Sequence, residues 1–186
     1  MKDVIDKALF SLNEGGILLY PTDTVYGIGC DATNYEAVKK IYTLKQRDDS
    51  KSMICLVSDF NMLQQYIEHV PEVVYTILKD TSKPTTIIYD NPLHVAKNLI
   101  AEDNTLAIRV VSKGFAFDLI NTLKKPLVST SANISGKPTP KSFKEIDQAI
   151  LKGVDYVVNL PNETKNAKPS TIIKVSGQGI VKVIRK

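Results

Sequence analysis

Three short polar clusters combine residue types and spacings suited to an anionic or zwitterionic ligand: PTDTVYG at 21–27, KQRDDSK at 45–51 and STSANISGKPTP at 129–140. In the first, Thr22, Asp23, Thr24 and Tyr26 supply hydroxyls and a carboxylate, while Gly27 and Gly29 let a backbone come close to a small polar ligand. The same residues also suit a capped turn that binds nothing. In the second cluster Lys45, Arg47 and Lys51 surround Asp48 and Asp49. Side chains at i and i+2 point about 200° apart on a helix but share a side of an extended segment, so Lys45 and Arg47 converge only if the helix has ended there. Converging, they would suit a polyphosphate, Arg forking onto two oxygens and Lys acting as a mobile point charge. As a solvated face neutralised by the aspartates, each pair would contribute only ~0–1 kcal/mol. In the third cluster Ser129, Thr130, Ser131 and Asn133 offer neutral donors that can orient phosphate oxygens without excess charge.

Several chemistries are excluded by pattern. A P-loop needs G-x-x-x-x-G-K-[ST], but Ser131 stands at its first glycine and Pro138 follows Lys137. There is no G-x-G-x-x-G. The two histidines, His69 and His94, have no serine or cysteine nucleophile motif nearby, which argues against a hydrolase triad. No His, Cys or carboxylate spacing fits a zinc or calcium site, so no protein-held metal is expected. Cys30 and Cys55 each sit among apolar residues and read as buried, reduced thiols.

These clusters need a scaffold, and the composition allows one: 186 residues, 43% apolar and 24% charged, suffice for one sizeable core and one domain over 1–186. The net charge of +4 fits anionic ligands and falls short of a nucleic-acid arm. The N-terminal segment has helical periodicity rather than a signal peptide's apolar core, and no apolar run is membrane-spanning in length, so a cytoplasmic location without membrane attachment is expected. Ile5, Ala8, Leu9 and Leu12 predict a first helix stopped by Gly15-Gly16. ILLYP predicts a strand opening directly into the first cluster. Asn34 caps a predicted helix over 35–45, and helices are also predicted over 59–67, 71–79, around Ala116–Leu123, and 141–153. Strands are predicted over 52–57, 85–89, 105–110, 126–130, 155–160, 170–175 and 180–185, the last two as an antiparallel hairpin. The result is an α/β (α+β) domain: a twisted mixed sheet flanked by helices.

Taken together and in order, PTDTVYGIGCDA, IYTLKQRDDSK and LVSTSANISGKPTP resemble the YrdC-like family of threonylcarbamoyl-AMP synthases, of the TsaC type. The resemblance runs from the first strand to the end of the chain. It implies a sheet twisted around a basic concave cavity, and condensation of L-threonine, bicarbonate or CO₂ and ATP, with Mg²⁺ bridged by substrate, into threonylcarbamoyl-AMP and pyrophosphate. The product would pass to the machinery that transfers threonylcarbamoyl to tRNA. Carried over by position, it implies that Thr24, Arg109, Ser129 and Ser170 contact threonine. It implies that Arg47, Lys51, Thr105, Ser131, Asn133, Thr139 and Arg185 contact ATP, and that Lys45, Arg47 and Lys51 stabilise the reacting phosphates. The sequence departs from the family where it reads KQRDDSKS in place of KxRP…KP, and RVVSK in place of R-x-P-x-H. Those departures keep a YciO-like paralogue as an alternative. A non-catalytic RNA-binding module, or weak tRNA binding beside catalysis, is the alternative of another class; its mark would be a log-linear loss of affinity with salt. Longer family members carry an extra C-terminal domain, which a chain ending at Lys186 is expected to lack.

Overall fold

The computed structural model describes residues 1–48, 53–81, 83–160 and 170–185. Helix α1 (Lys2–Asn13) buries Ile5, Ala8 and Leu12, and its end is turned by Gly15 at φ +72°, a conformation that glycine adopts without strain. Helix α2 (Tyr35–Lys45) starts at Asn34, whose side chain accepts the Ala37 N–H, and stops where Gln46 turns left-handed at φ 50°. The remaining helices are α3 (Phe60–Tyr66), α4 (Glu72–Asp80), α5 (Phe115–Leu123) and α6 (Gln148–Gly153). The strands are β1 (Leu18–Pro21), β2 (Tyr26–Gly29), β3 (Ile54–Val57), β4 (Thr85–Asp90), β5 (Thr105–Val110), β6 (Leu127–Ser131), β7 (Tyr156–Val157), β8 (Thr171–Val175) and β9 (Val181–Arg185).

Among the described residues, these nine strands form one mixed sheet in the order β7-β1-β2-β6-β3-β5-β4-β8-β9. β3 runs parallel to β5, β4 to β8 and β1 to β7; the other neighbours are antiparallel. The expected fold class and the closing hairpin β8–β9 are therefore present.

Three expected elements differ. The segment after β1 is the tip of a tight hairpin: β2 returns antiparallel, pairing Leu18 with Gly29 and Pro21 with Tyr26. A four-residue strand with two glycines lacks the β-branched run that announces a strand. Gly29 is required by packing, because a Cβ there would strike the Val128 carbonyl and come within 2.8 Å of the Tyr20 ring. The helix expected over 141–153 is broken: a single 3₁₀ turn covers Phe143–Glu145, and α6 begins only after Asp147, whose carboxylate accepts the Ala149 N–H at 2.9 Å. An aspartate that caps a new start outcompetes continuation of the old helix. The strand expected over 155–160 is reduced to Tyr156–Val157. Both cysteines are buried free thiols, and burial pushes that of Cys55 up to about 12. Both histidines are exposed.

Candidate active site

Side chains alternate across a strand, so the pairing register decides which residues share a face. Ser129 of β6 faces Ile54 of β3, Ile54 faces Ala107 of β5, Ala107 faces Ile88 of β4, and Thr86 of β4 faces Ile172 of β8, which faces Arg185 of β9. On the other flank Gly27 of β2 faces Ser131 of β6. Every one of these residues lines a single cavity of about 380 Å³ on one face of the sheet. Its floor is apolar, through Met53, Ile54, Leu56, Ile88, Ala107 and Ile172. Its walls carry the guanidinium groups of Arg47, Arg109 and Arg185 and the hydroxyls of Thr24, Ser129, Ser131, Thr139 and Ser170. An apolar floor with a few convergent polar groups is the usual make-up of a small-molecule site. Larger hollows beside α1 and α4 are lined mostly by exposed side chains and have no such convergence.

One end of the cavity is built by the β1–β2 hairpin. Thr22 organises its tip: its hydroxyl donates to the Val25 carbonyl at 2.6 Å and accepts the N–H groups of Thr24 and Val25 at 3.0 and 3.1 Å. The Thr24 hydroxyl lies 3.0 Å from it and also lines the cavity. Asp23 reaches across to Arg109, Nη2 donating to Oδ1 at 2.8 Å. The Arg109 side chain is only 6% exposed and the Asp23 side chain 43%, so a buried cation is held by a carboxylate that is itself half in water. The Arg109 Nε is buried and has no hydrogen-bond partner among the described residues. A guanidinium with unused donor capacity in a desolvated wall is a ready receptor for a carboxylate.

The rest of the wall gathers residues far apart in sequence. The hydroxyls of Ser170 and Thr86 share a hydrogen bond at 2.8 Å, and the Ser170 carbonyl accepts Nε and Nη2 of Arg185 at 3.3 and 2.8 Å. Arg47 reaches the cavity because α2 has ended: its N–H returns to the Tyr42 carbonyl, and Gln46 before it is left-handed. The condition set by the i, i+2 geometry is met, but Lys45 and Arg47 still part company. Lys45 is 1% exposed, is not part of the cavity wall, and donates from Nζ to the carbonyls of Ser131 and Asn133. Burial, with Arg47 nearby, lowers its ammonium to about 8.

Of the residues implied by resemblance, Thr24, Arg47, Arg109, Ser129, Ser131, Thr139, Ser170 and Arg185 therefore meet in one cavity. Lys51 lies outside the described residues. Asn133 lines a smaller neighbouring hollow that shares Thr139, and its amide nitrogen is spent on the Ile134 and Lys137 carbonyls. Thr105 stands apart: it shares a strand face with Arg109 but lies about 13 Å along β5 at ~3.3 Å per residue. Its hydroxyl is bonded to Asp103 at 2.6 Å, and Asp103 also holds Lys174 at 3.0 Å. Thr86 and the apolar floor escape a reading confined to polar clusters. Their signal lies in TTIIY, where period two puts Thr86 and Ile88 on one face and Ile87 and Tyr89 on the other. Phe143 is 43% exposed and sets its ring edge-on to Tyr26.

No group of three or more His, Cys, Asp or Glu among the described residues is placed to hold a metal ion. The described cavity wall offers hydroxyls and cations, a donor set suited to anionic oxygens rather than to a bare cation. No helix among the described residues is long and apolar enough to cross a membrane.

Comparison with known proteins agrees with this geometry. The threonylcarbamoyl-AMP synthase of Vibrio parahaemolyticus is 32% identical over 182 residues, covering 92% of this chain and 98% of the relative. That of Pseudoalteromonas translucida is 34% identical over 177 residues, covering 92% of each. Among solved structures, P. abyssi Sua5 complexed with L-threonine superposes with a TM-score of 0.84 at 29% identity, over 91% of this chain but only 50% of the longer Sua5. E. coli YciO superposes with a TM-score of 0.86 at 26% identity, over 100% of this chain and 90% of YciO. A sequence profile of the Sua5/YciO/YrdC family, described as "Telomere recombination", matches residues 11–186. With the profile spanning nearly the whole chain, this protein belongs to the Sua5/YciO/YrdC family.

Proposed function

We propose that the protein is an L-threonylcarbamoyladenylate synthase, a nucleotidyltransferase that condenses L-threonine, bicarbonate or CO₂ and ATP into threonylcarbamoyl-AMP and pyrophosphate. The observation that carries this reading is the single cavity whose wall combines the Thr24 hydroxyl and the buried Arg109 guanidinium with Arg47, Arg185, Ser131 and Thr139. That combination suits a zwitterion and a polyphosphate held in one site. It is supported by relatives that bear the synthase name and by a structural neighbour that binds L-threonine.

In this reading the threonine carboxylate faces Arg109, and the hydroxyls of Thr24 and Ser129 orient the rest of the amino acid. The amine nitrogen bonds to the carbon of CO₂, or of bicarbonate with loss of water, and gives up a proton to form a carbamate. A carbamate oxygen then attacks the α-phosphorus in line, and the bond to the β-phosphate oxygen breaks to release pyrophosphate. Holding both substrates in one cavity supplies proximity, and the guanidinium of Arg47 stabilises the charge that develops on the phosphates. Mg²⁺ enters on the nucleotide, where it neutralises phosphate charge. Asp48, next to Arg47 in the chain, is exposed and would either help hold that Mg²⁺ or weaken nucleotide binding by its charge.

The test is pyrophosphate release measured with threonine, bicarbonate and ATP each omitted in turn. Dependence on all three is expected. ATP hydrolysis indifferent to threonine would instead favour the YciO-like reading, which the close superposition on YciO and the missing prolines around Arg47 keep as the second choice. Transfer of the product to tRNA belongs to later enzymes in this reading. Tight tRNA binding by the pure protein, falling steeply with salt and unaccompanied by pyrophosphate release, would replace it with an RNA-binding role.

A further inference from the structure

Lys45 has the sequence signature of a phosphate-binding residue and the surroundings of something else. It is the last residue of α2, its side chain is almost wholly buried, and its Nζ donates to two main-chain carbonyls, those of Ser131 and of Asn133, the latter at 2.6 Å. Its own carbonyl accepts the Ser135 N–H at 2.8 Å. One residue thus ties alternate positions, 131, 133 and 135, of the turn that follows β6. From the other side the Ala132 N–H donates to the Tyr26 carbonyl at 2.9 Å, so the turn is pinned between β2 and the end of α2. Arg47, two residues on, opens into the cavity; Lys45 does not line it.

We propose that Lys45 is a positioning residue, whose ammonium clamps the turn from Ser131 to Ser135 and so places the Ser131 hydroxyl and the neighbouring Thr139 wall without touching the nucleotide. This rests on the reading of the cavity as an ATP site. The physical need is clear in the turn itself. Two carbonyl dipoles converge on one point inside the fold, beside the buried Lys45 side chain, and a donor there satisfies both. A compact ammonium on a flexible stem can serve two carbonyls at an angle to one another, whereas the planar fork of Arg matches paired parallel acceptors. The carbonyls in turn offset the cost of burying the charge. The K-x-R pattern then divides its work: Lys45 shapes the wall and Arg47 meets the ligand.

The experiment uses the full chain. Wild-type protein labelled with ¹⁵N-lysine is titrated with a non-hydrolysable ATP analogue, with binding followed by calorimetry and the Lys45 Nζ resonance by NMR. The expected result is saturable binding with the Nζ resonance unmoved. An Nζ shift that saturates with occupancy overturns the clamp and makes Lys45 a direct contact. No binding at all overturns the ATP reading on which the clamp depends. Kinetics give a second arm in Lys45→Met, Ser131→Ala and the double variant. The clamp predicts that Lys45→Met raises KM for ATP about tenfold or more while KM for threonine moves less than about twofold, the size expected for one lost charge-assisted interaction at one end of a site. The double variant is then no worse than Lys45→Met alone, because Ser131 is already misplaced. Multiplicative losses in the double variant, or an equal rise in both KM values, count against the clamp.

Discussion

The two faces of the central strands are built from neighbouring residues with opposite tasks. On β5, Ile108 points to the helix-covered face, where it meets Ile87 of β4 and Cys55 of β3 in a continuous apolar layer. Ala107 and Arg109, on either side of it, point into the cavity. The first face is filled as a core. The second is left open by a small residue and a buried cation, a choice that gives up apolar burial for a binding surface. The difference shows that this sheet is half scaffold and half receptor, and that one step in register separates stability from recognition.

The sharpest break of that contrast is Ile108→Ala. Emptying a fully packed site on the helix face should cost about 2–5 kcal/mol of unfolding free energy. Urea denaturation reads it, and the activity of the surviving folded fraction should be unchanged. Arg47→Ala is the converse on the cavity face: stability within about 0.5 kcal/mol, but threonine- and bicarbonate-dependent pyrophosphate release down by about 10²–10³, or roughly 2.7–4 kcal/mol, as for other preorganised donors. Near-normal turnover in that variant would remove Arg47 from the phosphate site. Thr24→Val should raise KM for threonine by about 0.5–1.5 kcal/mol, up to roughly tenfold, and leave KM for ATP alone, because it deletes one neutral hydrogen-bonding group. Equal changes in both constants would make the hydroxyl a turn former only.

The smallest effect tests the far end of the cavity-facing row. Hydrogen bonds from Thr105, then from Lys174, hold the Asp103 carboxyl below the usual carboxylate value of 3.8. A depressed folded-state value means that this group adds stability above about pH 4 and loses it as the pH falls through the lowered value. Asp103→Asn should therefore flatten only the acid limb of the stability profile, leaving pyrophosphate release at neutral pH untouched. If Asp103→Asn instead raised KM for ATP, Thr105 would return to the nucleotide site from which its position along β5 now separates it.

Much of this architecture is legible in the order of the amino acids. The periodicity of α1 and α2, the Asn34 cap and the closing hairpin follow from side-chain patterns that act over a few residues, and such patterns are written in the chain itself. The polar clusters are legible too, since Thr24, Arg47, Ser129 and Ser131 all reach the cavity. Other features are hidden for physical reasons. β2 is concealed in YGIG because glycine there serves contact with Tyr20 and Val128 rather than strand propensity. The helix expected over 141–153 breaks at Asp147, where a local cap competes with an otherwise continuous pattern.

Residue types along the chain settle which chemistry is on hand: hydroxyls, one guanidinium and three lysines in three ordered clusters, without a metal-site or triad pattern. How that chemistry is shared out depends on contacts between distant segments. Register set Arg109 and Thr105, on one face of one strand, to different work, and brought Ser170 and Arg185 beside Thr86. Lys45 and Arg47, two residues apart, are divided by a single left-handed turn at Gln46 and by two carbonyls, at the end of β6 and just after it, 86 and 88 residues beyond Lys45 along the chain. Residue type is a local property, whereas desolvation and the direction of a side chain depend on whatever the rest of the chain places against it.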